Sequence, residues 1–391
     1  MWRAIASNAL TLFIVFLVVA AGVLAWGRQM FTEPGPLQVA ICFEVERGAS
    51  LSAVSQALAE QGALSDSRVF RIGAEYSGRA KGLKFGSYLI EPKATMEQVL
   101  ADLTAAGQST CGREVNFRIG INGMDVVLRE LDPATNRYVE VVKFDPATEA
   151  MPPEYLDAKD AADLRWRVTL AEGVTSWNVV EALKRADFMA GVVDAVPDEG
   201  ALAPDSYEVE PGFDRAGLLA EMTARQSAIL AEIWAARAEG LPYKSAEEAL
   251  IMASIVEKET GVPEERKRVA SVFLNRIAAG MRLQTDPTVI YGITKGEGVL
   301  GRGLRQSELR RETPYNTYVI DGLPPTPIAN PGRLSIEAAL NPETTDYIFF
   351  VADGTGGHAF AVTLDQHNDN VAKWRAIEAE QATAPQTGDG G

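Results

Sequence analysis

The chain has 391 residues, 47% hydrophobic and 23% charged, and carries a net charge of −16 at pH 7. That balance is globular and excludes disorder throughout. The acidic excess excludes nucleic acid as a partner, because phosphate binding needs a basic surface, and it disfavours adhesion of the whole body to an anionic bilayer.

No charged residue occurs from Ala4 to Gly27, and Leu12–Val19 is continuously apolar. That length crosses a hydrocarbon core of about 30 Å as a helix. A cleaved signal peptide is the competing reading, since Ala20-Ala21-Gly22 supplies small residues. The uninterrupted apolar length favours a retained anchor, while Arg3 and Arg28 flank it and say little about orientation. No second run of spanning length follows, so the rest is expected as one soluble body on one side of the membrane, with two or three domains. Cys42 and Cys111 lie outside any CxxC, which argues against zinc or redox chemistry. In an exported body they either pair or remain buried thiols.

After the linker Pro34-Gly35-Pro36, residues 38–110 alternate strand and helix patterns. Val39–Val45 reads as a strand, Gly48 as a turn, and Ser50 or Ser52 as the cap of a helix bearing Leu51, Val54 and Leu58. Tyr88–Ile90 reads as a strand, and Thr95-Met96-Glu97-Gln98 as a capping box. The order recurs in residues 167–215. Phe43–Ser50 resembles Val168–Thr175, Val54–Leu58 resembles Val179–Leu183, and Gly86–Pro92 resembles Asp205–Pro211, which predicts two copies of one strand–helix unit. Between them, residues 111–166 read as a β-rich insertion with strands at Val115–Ile119 and Tyr138–Val142 and a turn at Asp132–Asn136. Residues 216–382 are helical at first, with a capping box at Ser245-Ala246-Glu247-Glu248, a helix at Arg266–Ala279, and Asp286-Pro287 as an N-cap followed by Pro at the first helical position. A hairpin is predicted from Tyr347–Val351 and His358–Val362 across Asp353–Gly357, and 383–391 read as a disordered tail.

The sharpest chemical pattern is Ala253–Thr260. Leu250, Ala253, Ser254, Glu257 and Thr260 share one helical face. A carboxyl held against Ala, Ile and Val is a candidate for a raised pKa, and one still protonated near neutrality can act as a general acid. Glu259 lies about 200° around the axis, so the two cannot share a cleft, and a local pair for two-carboxylate glycoside chemistry is absent. The plainer alternative, which the helix alone favours, is a solvated Glu-Lys-Glu patch.

Downstream, Gln284, Thr285, Asp286, Tyr291, Tyr315, Asn316, Thr317 and Tyr318 supply amides, hydroxyls and aromatic faces suited to a sugar, although core tyrosines beside a turn would look the same. The proline-rich loop Gly322–Gly332, which contains Asn330, is either a connector or a fixed cleft wall. His358 and His367 are nine apart, too far for the usual metal-ligand spacing, and a structural role is the default for each. No GxSxG, P-loop or HExxH occurs.

Taken together, Ala253–Thr260, Val272–Arg276, Gly280–Gly292, Tyr315–Tyr318, Gly322–Gly332, Tyr347–Val351, His358–Phe360 and His367-Asn368 closely resemble the endolytic murein transglycosylases (MltG, YceG-like). The dense part of the resemblance covers about 130 residues and fades before Leu218. It implies an α+β fold: an N-terminal transmembrane helix with a cytoplasmic stub (1–28), a LysM-like α/β subdomain (38–110) with the β-rich insertion (111–166) and a second copy (167–215), and a mixed α+β catalytic domain (216–382). It also implies Glu257 as the catalytic acid, beside which Gln284, Thr285, Asp286, Tyr291, Tyr315, Asn316, Thr317, Tyr318, Asn330 and His358 are read as substrate-binding residues, with no metal or cofactor expected. The partners would be peptidoglycan strands, the inner membrane and peptidoglycan synthases, with the catalytic body periplasmic. Thr326 departs from the family's usual Gly, and the 113–167 insertion is unusually long. The implied reaction cleaves the bond between N-acetylmuramic acid and N-acetylglucosamine and leaves 1,6-anhydro ends, terminating strand growth. The rivals are a hydrolytic muramidase in which Asp286 activates water, and a glycan-binding scaffold without cleavage.

Overall fold

The computed structural model describes residues 2–105, 109–161 and 164–383. The tail expected to be disordered therefore falls outside the described residues from 384 onward. The fold is mixed α+β. Helix α1 (Trp2–Thr32) contains the apolar stretch Leu10–Thr32, which is long enough to cross a membrane. Strand β1 (Ile41–Val45), helices α2 (Leu51–Glu60) and α3 (Ser67–Tyr76), strand β2 (Gly86–Ile90) and helix α4 (Met96–Thr104) follow. β1 and β2 pair antiparallel, with Phe43 opposite Tyr88. Phe43, Leu58, Phe70, Ile90, Val99 and Leu103 meet in one core. The predicted box on α4 is present in both directions: Thr95 Oγ1 accepts from Gln98 N at 3.1 Å, and Gln98 Oε1 accepts from Thr95 N at 2.8 Å.

The insertion contains three strands where the sequence suggested two: β3 (Arg113–Gly120), β4 (Gly123–Asp132) and β5 (Arg137–Phe144), followed by helix α5 (Pro153–Ala158). β4 escaped because Asp125, Arg129 and Glu130 break the apolar run, two of them in ion pairs: Arg118 with Asp125 and Arg129 with Glu114. The predicted turn is real. Asp132 accepts from Ala134 N and Thr135 Oγ1, and Asn136 takes a left-handed φ of 53°. Strand β6 (Arg165–Leu170), helix α6 (Ser176–Leu183) and strand β7 (Ser206–Val209) come next, and β3 to β7 form one sheet in the order β5-β4-β3-β6-β7. Cys42 and Cys111 are joined by a disulfide. Their separation is 69 residues, and closing a loop of that size stabilises by about 4 kcal/mol on the chain-entropy account.

The two stretches that look alike in sequence share local geometry. Gly48 and Gly173 both have φ of 78°, a turn that favours glycine. Ser50 and Thr175 each cap the helix that follows. The Tyr88 and Tyr207 hydroxyls each donate to the carbonyl four residues back. They differ in one respect: two helices separate β1 from β2, whereas only α6 lies between β6 and β7.

The remainder is α7 (Arg215–Ala235), α8 (Ala246–Glu259), a 3-10 turn at Pro263–Glu265, α9 (Arg266–Ala278), α10 (Asp286–Thr294), α11 (Gln306–Leu309), α12 (Arg333–Leu340), the antiparallel hairpin β8 (Phe349–Ala352) and β9 (His358–Ala361), and α13 (Leu364–Thr383). α8 is a central helix, with every residue from Ala249 to Val256 buried and α7, α9, α10 and α12 packed around it. It is therefore not the one-faced helix that the spacing suggested, because a helix surrounded by partners is apolar all round. Ser245 caps it by accepting from Glu248 N, while Glu248 reaches Lys244 N in place of Ser245 N. At α10 the cap position is Thr285, not Asp286, and Asp286 is the first helical residue. The chain divides into two compact units: Met1–Asn116, Val127–Phe144 and Ala150–Trp166 form one, and Phe117–Val126, Asp145–Glu149 and Arg167–Gly391 the other.

Candidate active site

The last turn of α8 carries two glutamates with different surroundings. The Glu257 side chain is only 6% exposed. Its Oε2 accepts the Gly332 N–H at 2.9 Å, and its Oε1 lies 3.8 Å from Arg266 Nη2. Gly332 is the N-cap of α12, so the carboxylate sits where a helix dipole favours negative charge. Arg266 is also buried, donates to Ser335 Oγ at 3.2 Å, and lies 3.5 Å from Glu172. Glu172 packs so closely on Gly332 that a Cβ there would lie 1.7 Å from its Oε1, so a side chain at 332 would have to displace the glutamate. Burial raises the Glu172 carboxyl above the usual range, Glu257 adds to this and Arg266 opposes it.

These contacts bear on two expectations. Glu257 has a carboxylate neighbour, Glu172, on the other side of a shared arginine. A general acid must also be protonated and within reach of the bond it cleaves, whereas Glu257 is committed to a backbone N–H and a buried guanidinium.

Glu259 turns the other way and lines a cavity of about 330 Å³ with Gly354, Gly356, Gly357, His358 and Trp374. Burial raises its carboxyl above the usual glutamate range and Asp286 pushes the same way, against the Thr285 hydroxyl, His358 and Arg276. Thr285 Oγ1 donates to Glu259 Oε1, so the N-cap hydroxyl of α10 serves the carboxylate and caps nothing. The preceding Gln284 is held at φ 51°, a left-handed conformation uncommon outside glycine, and it exposes its side chain. His358 is fixed by Glu265, which accepts its backbone N–H at 2.9 Å and meets its Nδ1 at 2.7 Å.

The predicted substrate residues divide between surroundings. Thr285 and His358 belong directly to the Glu259 site, and Asp286 bears on it electrostatically while accepting from the Tyr318 hydroxyl at 2.6 Å. Burial raises the Tyr318 phenol above its usual range. Thr317 is wholly buried and binds this knot together by accepting from Thr285 N at 3.1 Å and meeting Thr288 Oγ1 at 2.9 Å. Asn316 is wholly buried too, its amide spent on the carbonyls of Glu308, Leu309 and Arg311. Asn330 bonds Val174 O and Leu202 N and is also wholly buried. Asn316, Thr317 and Asn330 thus hold loops in place, and their polar atoms are satisfied within the protein.

Tyr291 and Tyr315 form a separate cluster, with ring centroids 5.1 Å apart. The Tyr291 hydroxyl donates to Glu199 at 3.1 Å, and burial raises both that phenol and the Glu199 carboxyl. Tyr315 pairs its hydroxyl with Thr326 at 2.8 Å, so the departure from the family's glycine tethers a ring. Among the described residues, no group of three or more His, Cys, Asp or Glu side chains is arranged to hold a metal.

Residues 43–373 match the profile of the YceG-like family. The chain belongs to that family. A Bacillus subtilis protein named endolytic murein transglycosylase is 27% identical over 371 residues, covering 93% of each chain. A Streptococcus pneumoniae protein of the same name is 32% identical over 182 residues, which is 45% of this chain and 32% of that one. A solved YceG-like protein from Listeria monocytogenes is 24% identical, with 85% of this chain and 99% of that one covered and a TM-score of 0.45.

Within this YceG-like chain, sequence reasoning passed over Glu172, Glu265 and Trp374 and set Glu259 aside. One sign was available for Glu172. It stands where the first copy has Arg47, a charge reversal within otherwise similar stretches. Trp374 gave no local sign, because only the packing of α13 brings it to the cavity.

Proposed function

We propose that this chain is an endolytic lytic transglycosylase that cleaves the β-1,4 bond between N-acetylmuramic acid and N-acetylglucosamine in nascent peptidoglycan, with Glu259 as the acid and base. The carrying observation is that Glu259, a carboxyl raised by burial, lines a cavity beside a tryptophan and a braced histidine. Protonated Glu259 donates to the glycosidic oxygen as the C1–O bond breaks. The resulting carboxylate then takes the proton of the muramoyl C6 hydroxyl as O6 attacks C1, giving the 1,6-anhydro sugar and restoring the acid. The substrate supplies the nucleophile, so no water and no second carboxylate are consumed. Thr285 steadies the carboxylate through its hydrogen bond, and Trp374 offers an aromatic face for a sugar ring.

The names of the relatives support this activity. Helix α1 supports a single-pass inner-membrane anchor, and the Cys42–Cys111 disulfide supports an oxidising compartment such as the periplasm. The β1-α2-α3-β2 order supports a LysM-like glycan-binding segment, and synthases of the glycan would be natural partners for an enzyme that ends strand growth. The test is mass analysis of products from uncrosslinked glycan. Anhydro ends from the wild type and none from Glu259→Gln are expected. Reducing ends would instead mark a muramidase, and full release by Glu259→Gln would overturn the assignment.

A further inference from the structure

We infer that the exposed face of α3 rests on the bilayer surface and binds anionic phospholipid headgroups. The inference builds on α1 as a membrane helix and is independent of the catalytic assignment. Phe31, in the last turn of α1, packs on Gly73 of α3 so closely that a Cβ on Gly73 would lie 2.3 Å from the ring. Arg28 ends the uncharged run, so at 1.5 Å per residue Phe31 lies only ~5 Å beyond the hydrocarbon edge. That is the depth of the headgroup layer, which occupies about 5–7 Å on each side of the core.

On α3, Tyr76 and Ile72 lie about 60° and 100° around the axis from Gly73, on the side away from the buried Phe70 and Ala74. They are 94% and 65% exposed, in a stripe continued by exposed Arg68 and Arg79. An aromatic and an aliphatic side chain between arginines is the composition that settles at a membrane interface. The charge agrees. Residues 67–85 hold Arg68, Arg71, Arg79, Lys81 and Lys84 against the single acid Glu75, in a chain whose net charge is −16. The acidity of the whole chain therefore does not describe the segment nearest the bilayer, where cations are drawn to anionic lipid.

The test uses the full oxidised chain reconstituted in vesicles of phosphatidylglycerol and phosphatidylethanolamine, or of phosphatidylcholine alone. A spin label is placed by Ile72→Cys, by Val139→Cys as an exposed site on β5, or by Leu17→Cys within α1. In anionic vesicles the label at 72 is expected to collide several-fold less with a water-soluble nickel chelate than the label at 139. Phosphatidylcholine, or Arg68→Glu with Arg79→Glu, should reverse most of that protection. Equal nickel access at 72 and 139, or protection that ignores lipid charge, would overturn the proposal. A water-accessible label at 17 would overturn it together with the anchor, while product analysis would leave the catalytic reading standing.

Discussion

Glu257 and Glu259 lie two residues apart on one helix, and the tertiary structure gives them opposite surroundings. Glu257 closes an ion-paired network of Arg266, Glu172 and the α12 N-terminus, with each oxygen committed. Glu259 has a single hydroxyl donor and an open cavity in front of it, and burial holds its carboxyl toward the protonated form. Compensated charge builds the fold, whereas uncompensated burial produces an acid. Burial raises the Glu259 carboxyl against the opposing pull of His358 and Arg276, whereas Glu257 has the Arg266 guanidinium and the Gly332 N–H directly beside it.

The strongest way to break this contrast is paired substitution. Glu259→Gln should lower anhydro-product release by about 10³-fold, the typical worth of a general acid, with the circular-dichroism spectrum unchanged. Glu257→Gln should keep most activity per folded molecule. If the two effects are exchanged, the assignment is reversed. In stability the order inverts. Glu257→Gln leaves Arg266 short of a buried partner and should cost about 3 kcal/mol in urea unfolding.

The pH dependence sharpens the contrast further. Activity that needs protonated Glu259 should decline as pH rises through its raised pKa, measured with a glycan at saturating concentration. For stability, a carboxyl whose folded pKa exceeds its unfolded value contributes fully below about pH 4.3 and loses that contribution as pH rises through the folded value. Glu259→Gln escapes the loss. Its melting temperature should exceed that of the wild type at neutral pH, and the gap should close in acid. The smallest expected effect belongs to Trp374→Ala, which should raise KM about fivefold, equivalent to about 1 kcal/mol of ring contact, with kcat little changed. A kcat effect without a KM effect would remove Trp374 from sugar binding.

Much of the scaffold was legible from local rules. The Thr95 box, the Asp132 turn, the β8–β9 hairpin and the repeated glycine turns all follow from contacts within a few residues. β4 was not legible, because its alternation is hidden by charged residues satisfied across the sheet. The site was half legible. Thr285, Asp286, Tyr318 and His358 were picked out and gather about one carboxylate, but the carboxylate was the other glutamate. The helical geometry separating Glu257 from Glu259 was sound. What periodicity could not supply was which side of a helix buried all round opens onto a cavity.

The sequence by itself determined the apolar N-terminal span, the order of most strands and helices, and a sugar-suited set of side chains, because each depends on spacing along the chain. Only the tertiary structure decided that Arg266 and Glu172 occupy Glu257, that the glycine-rich β8–β9 turn and Trp374 open a cavity at Glu259, and that Asn316, Thr317 and Asn330 serve as struts. Those outcomes depend on residues as many as 156 positions apart, and a carboxylate's chemistry is set by what surrounds it in space.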